Sequence, residues 1–126
     1  MAPTIGVGAV VVEDGRLLLV RRAKPPAEGL WAVPGGRVEP HETVRDAVAR
    51  EATEETGLRV EVGPLAWTGR VRGPSHDYLL FDYFARVVGG ELAAGSDAAE
   101  ARWVPLDDVE DLPVVPAMRE LLAVLR

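Results

Sequence analysis

Apolar positions along this chain of 126 residues follow two rhythms. Short β-rich runs occupy 4–12 (TIGVGAVVV) and 16–21 (RLLLVR), and Glu13-Asp14-Gly15 between them predicts a hairpin. Residues 23–30 are Pro- and Gly-rich and read as a loop, 31–33 as a short strand, and Pro34-Gly35-Gly36 as a turn. Extended patterns resume at 59–62, 65–72 and 78–88, the last two flanking a turn at 73–77. Gly89-Gly90 marks a further turn, 95–99 a polar loop, and 102–104 a last short strand. In the tail, 113–126, Val115, Met118, Leu121, Leu122 and Leu125 recur at helical spacing and predict a helix lying on the sheet. Strands mixed with two helices predict a layered α/β/α domain, and no repeat or linker divides residues 1–126 into more than one.

The other helix is where the pattern breaks its own rule. With Val44 set at zero and about 100° per residue, Ala47, Val48 and Ala52 form one apolar stripe. Arg45, Asp46, Ala49 and Thr53 take the opposite face. Glu51 and Glu55 fall at roughly 340° and 20°, in the middle of the stripe, with Glu54 on its edge. Pro40, Glu42 and Thr43 signal the helix start, and Gly57 supplies the left-handed residue that ends it. Acids in a helix ordinarily make a solvated face with i, i+4 ion pairs. That reading fails on position, because an unpaired carboxylate on the inward side is costly. Three acids at i, i+3 and i+4 call for a cation among them, and carboxylate oxygens suit hard divalent ions such as Mg²⁺ or Mn²⁺.

The segment 36–58, GRVEPHETVRDAVAREATEETGL, resembles the Nudix box. That pattern is Gly, five residues, Glu, seven residues, Arg-Glu, a hydrophobic residue, any residue, Glu-Glu, any residue, Gly, hydrophobic. Gly36, Glu42, Arg50, Glu51, Ala52, Glu54, Glu55, Gly57 and Leu58 fill all nine defined positions over 23 residues, with Ala52 the small member at a hydrophobic position. The likeness extends to the flanks, Leu30-Trp31-Ala32-Val33-Pro34-Gly35 before the box and Glu100-Ala101-Arg102-Trp103-Val104-Pro105 near the end. It implies an α/β fold of the Nudix type, an α/β/α sandwich whose mixed β-sheet carries a loop–helix–loop catalytic box.

The same resemblance implies a chemistry. Nudix proteins typically hydrolyse a nucleoside diphosphate linked to another group, X, using Mg²⁺ or Mn²⁺. Glu51, Glu54 and Glu55 would be metal ligands, with Glu54 or Glu55 also a candidate base. Arg50 would hold the glutamates and Glu42 would support that ion-pair net. Gly35 and Gly36 admit close backbone approach, and the carbonyl of Gly36 would complete the metal shell. A further loop acid is Asp97 or Glu100. Candidate substrate contacts are Arg21, Arg22 and Lys24 after the second strand, Arg37, His76, and Trp31 against a base. Each of these also reads as an ordinary surface charge, turn residue or core anchor.

Composition narrows the rest. The chain has no cysteine, which removes thiolate catalysis and Cys-type zinc sites, and only His41 and His76 as imidazoles. A net charge of −6 disfavours a nucleic-acid duplex as partner. The apolar run 5–12 is too short to span a bilayer, so a cytoplasmic location is the default expectation. Relatives are often homodimers, and nothing in the sequence decides that point. Pro74, 16 residues beyond Leu58, resembles the placement in ADP-ribose pyrophosphatases of the family, although a proline in a turn needs no such explanation. The longer motif of members that cleave NADH is absent, and Tyr78 is late for dinucleoside polyphosphate hydrolases. ADP-ribose or a related nucleotide derivative is therefore the leading substrate, and oxidised (d)NTPs are the alternative. A non-catalytic nucleotide-binding module on the same fold is the rival of another class.

Overall fold

The computed structural model describes residues 2–95 and 97–126. Eight strands run β1 (Thr4–Val10), β2 (Val12–Glu13), β3 (Arg16–Arg22), β4 (Trp31–Ala32), β5 (Gly35–Arg37), β6 (Leu58–Gly73), β7 (His76–Gly90) and β8 (Ala98–Pro105). The helices are α1 (Val44–Thr56) and α2 (Met118–Leu125), with a 3₁₀ turn at Leu106–Asp111. One sheet has the order β5-β1-β7-β6 and is mixed, since β1 and β7 are parallel while its other pairs are antiparallel. In the second sheet β3 pairs with β2 at its start, with β4 at its end and with β8 along its length.

The helices cover opposite faces. Ala47, Val48 and Ala52 of α1 pack with Val7 and Ala9 of β1 and with Leu18 and Leu58. Met118, Leu121 and Leu122 of α2 pack instead with Val10, Leu17, Leu19, Trp31 and Val104. The expected α/β/α layering is thus present, and the alternation along β1 sends odd residues toward α1 and even residues toward α2.

Local chemistry sets the ends of α1. The Thr43 hydroxyl accepts the amide of Asp46 at 3.0 Å, a bond of the kind worth about 1 kcal/mol. Gly57 closes the helix at φ 76°, where its amide donates to Thr53 O at 2.9 Å. Arg45, on the outward face, donates to the carbonyls of Val62 (2.5 Å) and Gly63 (2.9 Å), which ties the helix to an irregular part of β6.

Several elements differ from the sequence reading. The 4–12 and 16–21 strands do not form a simple hairpin. The chain leaves the first sheet at Val11, whose carbonyl accepts Leu18 N at 3.0 Å, and only Val12–Glu13 turns back on β3. This frees both edges of β1 for β5 and β7. The 34–36 turn is instead the entry to β5, because glycine at Gly35 lets that strand lie directly on Val7 and Gly8, while glycine at Gly36 leaves room for the Glu51 carboxyl. The 59–62 and 65–72 segments are one strand whose register shifts absorb Gly63-Pro64. The Gly89-Gly90 turn is the end of β7, and β8 is longer than 102–104 because it pairs with all of β3. The 95–99 loop includes Ser96, which lies outside the described residues; Ala98 and Ala99 already belong to β8.

Candidate active site

The acids of α1 occupy three different environments. Glu55 is buried (8% exposed) and accepts the amide of Gly35 at 2.7 Å. Burial pushes its carboxyl up to about 7; the Gly35 bond works against that rise, and the charge of Glu51 adds to it. Glu51 lies over the α-carbon of Gly36, so closely that a side chain there would stand 2.5 Å from its Oε2. Burial raises Glu51 as well, with Arg50 partly offsetting it. Glu54 points outward, its side chain half exposed.

Arg50 is the organising cation. Its Nε and Nη2 donate to the two oxygens of Glu42 at 2.6 and 2.9 Å, and Nη1 reaches Glu51 at 2.6 Å and Glu54 at 3.1 Å. Nη2 also donates to the carbonyl of Arg37 at 3.0 Å, so the guanidinium clamps the β5 exit to the helix. The hydrogen bond from Arg50, helped by the Glu39 amide, holds Glu42 down at about 2. Among the described residues no three His, Asp or Glu side chains form a ready-made metal cage. The reason is visible in the bonds: Arg50 holds Glu51 and Glu54, while Glu55 is turned to Gly35. The donors are nonetheless all carboxylate oxygens, and a buried acid lifted to about 7 beside a like charge is the group a hard cation would relieve.

A cleft of about 780 Å³ opens beside these groups. Glu51, Glu55, Gly35, Gly36 and Arg37 line it, together with Arg22, Lys24, His76 and Asp97. Asp97 meets Lys24 at 3.0 Å. Glu100 is elsewhere: it accepts Arg102 at 2.6 Å, lies 3.7 Å from Arg21 and does not line the cleft. Of the two loop acids left open by the sequence, Asp97 is therefore the one at the cleft. Arg21 is drawn away by the same pairing, because β3 register sets it opposite Glu100. Trp31 is a core residue, 3% exposed and beneath the Arg102 guanidinium at 4.7 Å, and is not part of the cleft wall. His76 stacks obliquely near Tyr78, with ring centroids 5.9 Å apart.

The sequence reading missed the cleft's other side. Tyr78, Leu80 and Asp82 of β7, with Val115, Met118 and Leu121 of the C-terminal segment, line it over Gly6 of β1. Asp82 is 9% exposed, and burial alone raises it to about 6. Its signal was an acid in the middle of the apolar run YLLFDYFARVV.

The sequence model of the NUDIX domain matches residues 2–125, and the chain belongs to the Nudix family. It is 38% identical over 112 residues to the ADP-ribose pyrophosphatase of Methanocaldococcus jannaschii, covering 87% of this chain and 66% of that protein. It is also 38% identical over 97 residues to human 8-oxo-dGDP phosphatase NUDT18, covering 74% of this chain and 29% of that one. The chain thus spans less than two thirds of either relative. A MutT NUDIX hydrolase from Burkholderia pseudomallei superposes with a TM-score of 0.92 at 32% identity, over 100% of both chains. No helix among the described residues is long and apolar enough to cross a membrane.

Proposed function

We propose that this protein hydrolyses the pyrophosphate bond of a nucleoside diphosphate linked to a further group, with Mg²⁺ or Mn²⁺ as cofactor. The observation that carries the reading is the placement of Glu55: a carboxyl buried in the cleft wall, raised to about 7 and turned toward the glycine pair that bears Glu51. Glu51, Glu54, Glu55 and the Gly36 carbonyl are the groups that would hold the metal. When bound, the ion neutralises the diphosphate and lowers the pKa of an attacking water. Glu54 or Glu55 would serve as the base for the attacking water, and Arg50 would keep the glutamates oriented. Arg22, Lys24 and Arg37 supply positive charge along the cleft for the phosphates, with Asp97 as the supporting loop acid.

The leading substrate is ADP-ribose or a similar derivative, in keeping with the archaeal relative's name. Oxidised guanine nucleotides are the second reading, favoured by the name of the human relative and by the unpaired Asp82. The test is a phosphate- and nucleotide-release screen of ADP-ribose, nucleotide sugars, NADH, dinucleoside polyphosphates, and normal and oxidised (d)NTPs and (d)NDPs. It is run with Mg²⁺, with Mn²⁺ and with chelator. Metal-dependent cleavage of one class is expected. A folded protein that binds nucleotides but cleaves none of them would replace this reading with a non-catalytic binding module.

A further inference from the structure

The cleft contains a carboxylate that the hydrolytic machinery does not use. Asp82 lies on the α2-facing side of the sheet, the side away from α1 and its glutamates, in the even-numbered row with Tyr78, Leu80 and Phe84. Its neighbours in register are Gly8 on one side and Trp67 on the other. The absence of a side chain at Gly8 is what makes room for it: a Cβ there would collide with Asp82 Oδ1 and come within 2.8 Å of Val33. Gly6, two residues earlier, makes room for Leu80 in the same way, since a Cβ there would stand 2.8 Å from Leu80 Cδ2. Two glycines in alternate positions therefore form a shelf of bare backbone, covered by Leu80 and by the Asp82 carboxylate.

Among the described residues nothing in the protein pairs with this group. Burial is the only influence on its titration; no hydrogen bond and no nearby charge offsets it. No side-chain oxygen or nitrogen among the described residues is both sealed from solvent and without a partner, so the Asp82 oxygens open on the cleft and are free to meet a donor that enters it. The surrounding wall, Tyr78, Leu80, Val115, Met118 and Leu121, is apolar and partly aromatic, which suits a flat ring rather than a phosphate.

We propose that Asp82 is the base-selecting residue of this cleft, accepting the paired N–H donors of a 2-amino-6-oxo purine edge. Such an edge presents N1–H and the 2-amino group side by side, matching the two oxygens of an ionised carboxylate. Adenine offers one donor beside a ring-nitrogen lone pair, which faces the second oxygen unfavourably. A neutral amide has the opposite preference, since its NH₂ donates to adenine N1 while its oxygen accepts the 6-amino group. The inference rests on the nucleotide-hydrolase reading above and favours its second substrate class, guanine-type nucleotides, over ADP-ribose.

The experiment compares ADP-ribose, GDP-ribose and IDP-ribose, which share everything but the base, as substrates of the wild type and of Asp82→Asn. In parallel, calorimetry measures binding of GMP, IMP and AMP to both proteins. The wild type is expected to favour GDP-ribose over IDP-ribose, which lacks only the 2-amino group, by about tenfold to hundredfold in kcat/KM. Asp82→Asn should erase that preference and shift selectivity toward ADP-ribose, with the change carried mainly by KM. A loss of equal size on all three substrates would mean a merely structural role and overturn the proposal. So would a wild type that treats GMP and IMP alike, a comparison that needs no variant. If no substrate is cleaved but GMP binds tighter than IMP and Asp82→Asn erases that difference, the base-selecting role stands and the hydrolase reading falls.

Discussion

Replacing Glu55 by Gln tests the electrostatics of the site without touching its shape. In the metal-free fold the Glu55 carboxyl is raised from 4.5 to about 7, chiefly by burial. Its ionised form is therefore worse off in the folded chain than in the unfolded one. At about 1.4 kcal/mol per tenfold change in proton affinity, the penalty is about 3 kcal/mol. The sign follows from proton counting. Between pH 4.5 and about 7 the folded state binds more protons than the unfolded state, so stability is full below that window and falls as pH rises through it. Glutamine keeps an oxygen for the Gly35 amide and removes the charge. In chelator, Glu55→Gln and wild type should melt together near pH 4. Above pH 8 the variant should melt higher, by about 6–10 °C for a chain of this size. Saturating Mg²⁺ should close or reverse the gap, because the ion stabilises the wild type by mass action and has one fewer charged ligand in the variant. The assay is thermal unfolding by circular dichroism across pH, with and without metal. A gap in chelator that does not change between pH 4 and pH 8.5, or a less stable variant at pH 8.5, would refute the reasoning.

Three further outcomes follow from the same geometry. Glu54→Gln should lower turnover by about two to three orders of magnitude while its melting temperature in chelator stays near that of the wild type, since Glu54 is half exposed; steady-state kinetics beside melting curves decides it. Arg50→Ala removes the cation shared by Glu42, Glu51 and Glu54 and should cost about 1–3 kcal/mol in denaturant unfolding, the lower end reflecting solvent screening. Added Mg²⁺ should recover part of that loss. Gly36→Ala places a Cβ against the Glu51 carboxyl, 2.6 Å from its Cδ, and should reduce kcat/KM about a hundredfold with a raised metal requirement. Wild-type metal dependence in that variant would show that Glu51 need not sit on Gly36.

What could be read from the chain, and what could not, follows from how local each cause is. The α1 helix was legible because its determinants all lie in one continuous segment: the Thr43 cap, the 3.6-residue stripe of Ala47, Val48 and Ala52, and Gly57 at the end. The same wheel put Glu55 inside, and it is buried. Partner choice was not legible. Whether β1 pairs with β3 or with β5 and β7 depends on which neighbours can fill both of its edges, and β5 qualifies because Gly35 has no side chain to strike the backbone of Val7 and Gly8. The loop acids were ambiguous for the same reason. Asp97 and Glu100 are three residues apart, and only the register of β8 on β3 turns Glu100 to Arg21 and leaves Asp97 at the cleft.

Asp82 is the sharpest instance of a long-range cause. Gly6 and Gly8 lie in the β-rich run 4–12, and Asp82 lies within the extended run 78–88, 74 residues further on than Gly8. Parallel pairing of β1 with β7 sets Gly8 beside Asp82, and each then accounts for the other. The glycine is needed because the carboxylate lies over it, and the carboxylate has space to lie there because the residue is glycine. Gly8 also makes room for Val33, but Asp82 does not serve the core, since an apolar residue in its place would leave no unpaired charge. An unpaired carboxylate that lines a cleft is suited to what enters the cleft, which is why we propose base selection at Asp82 and hydrolysis at the glutamates of α1.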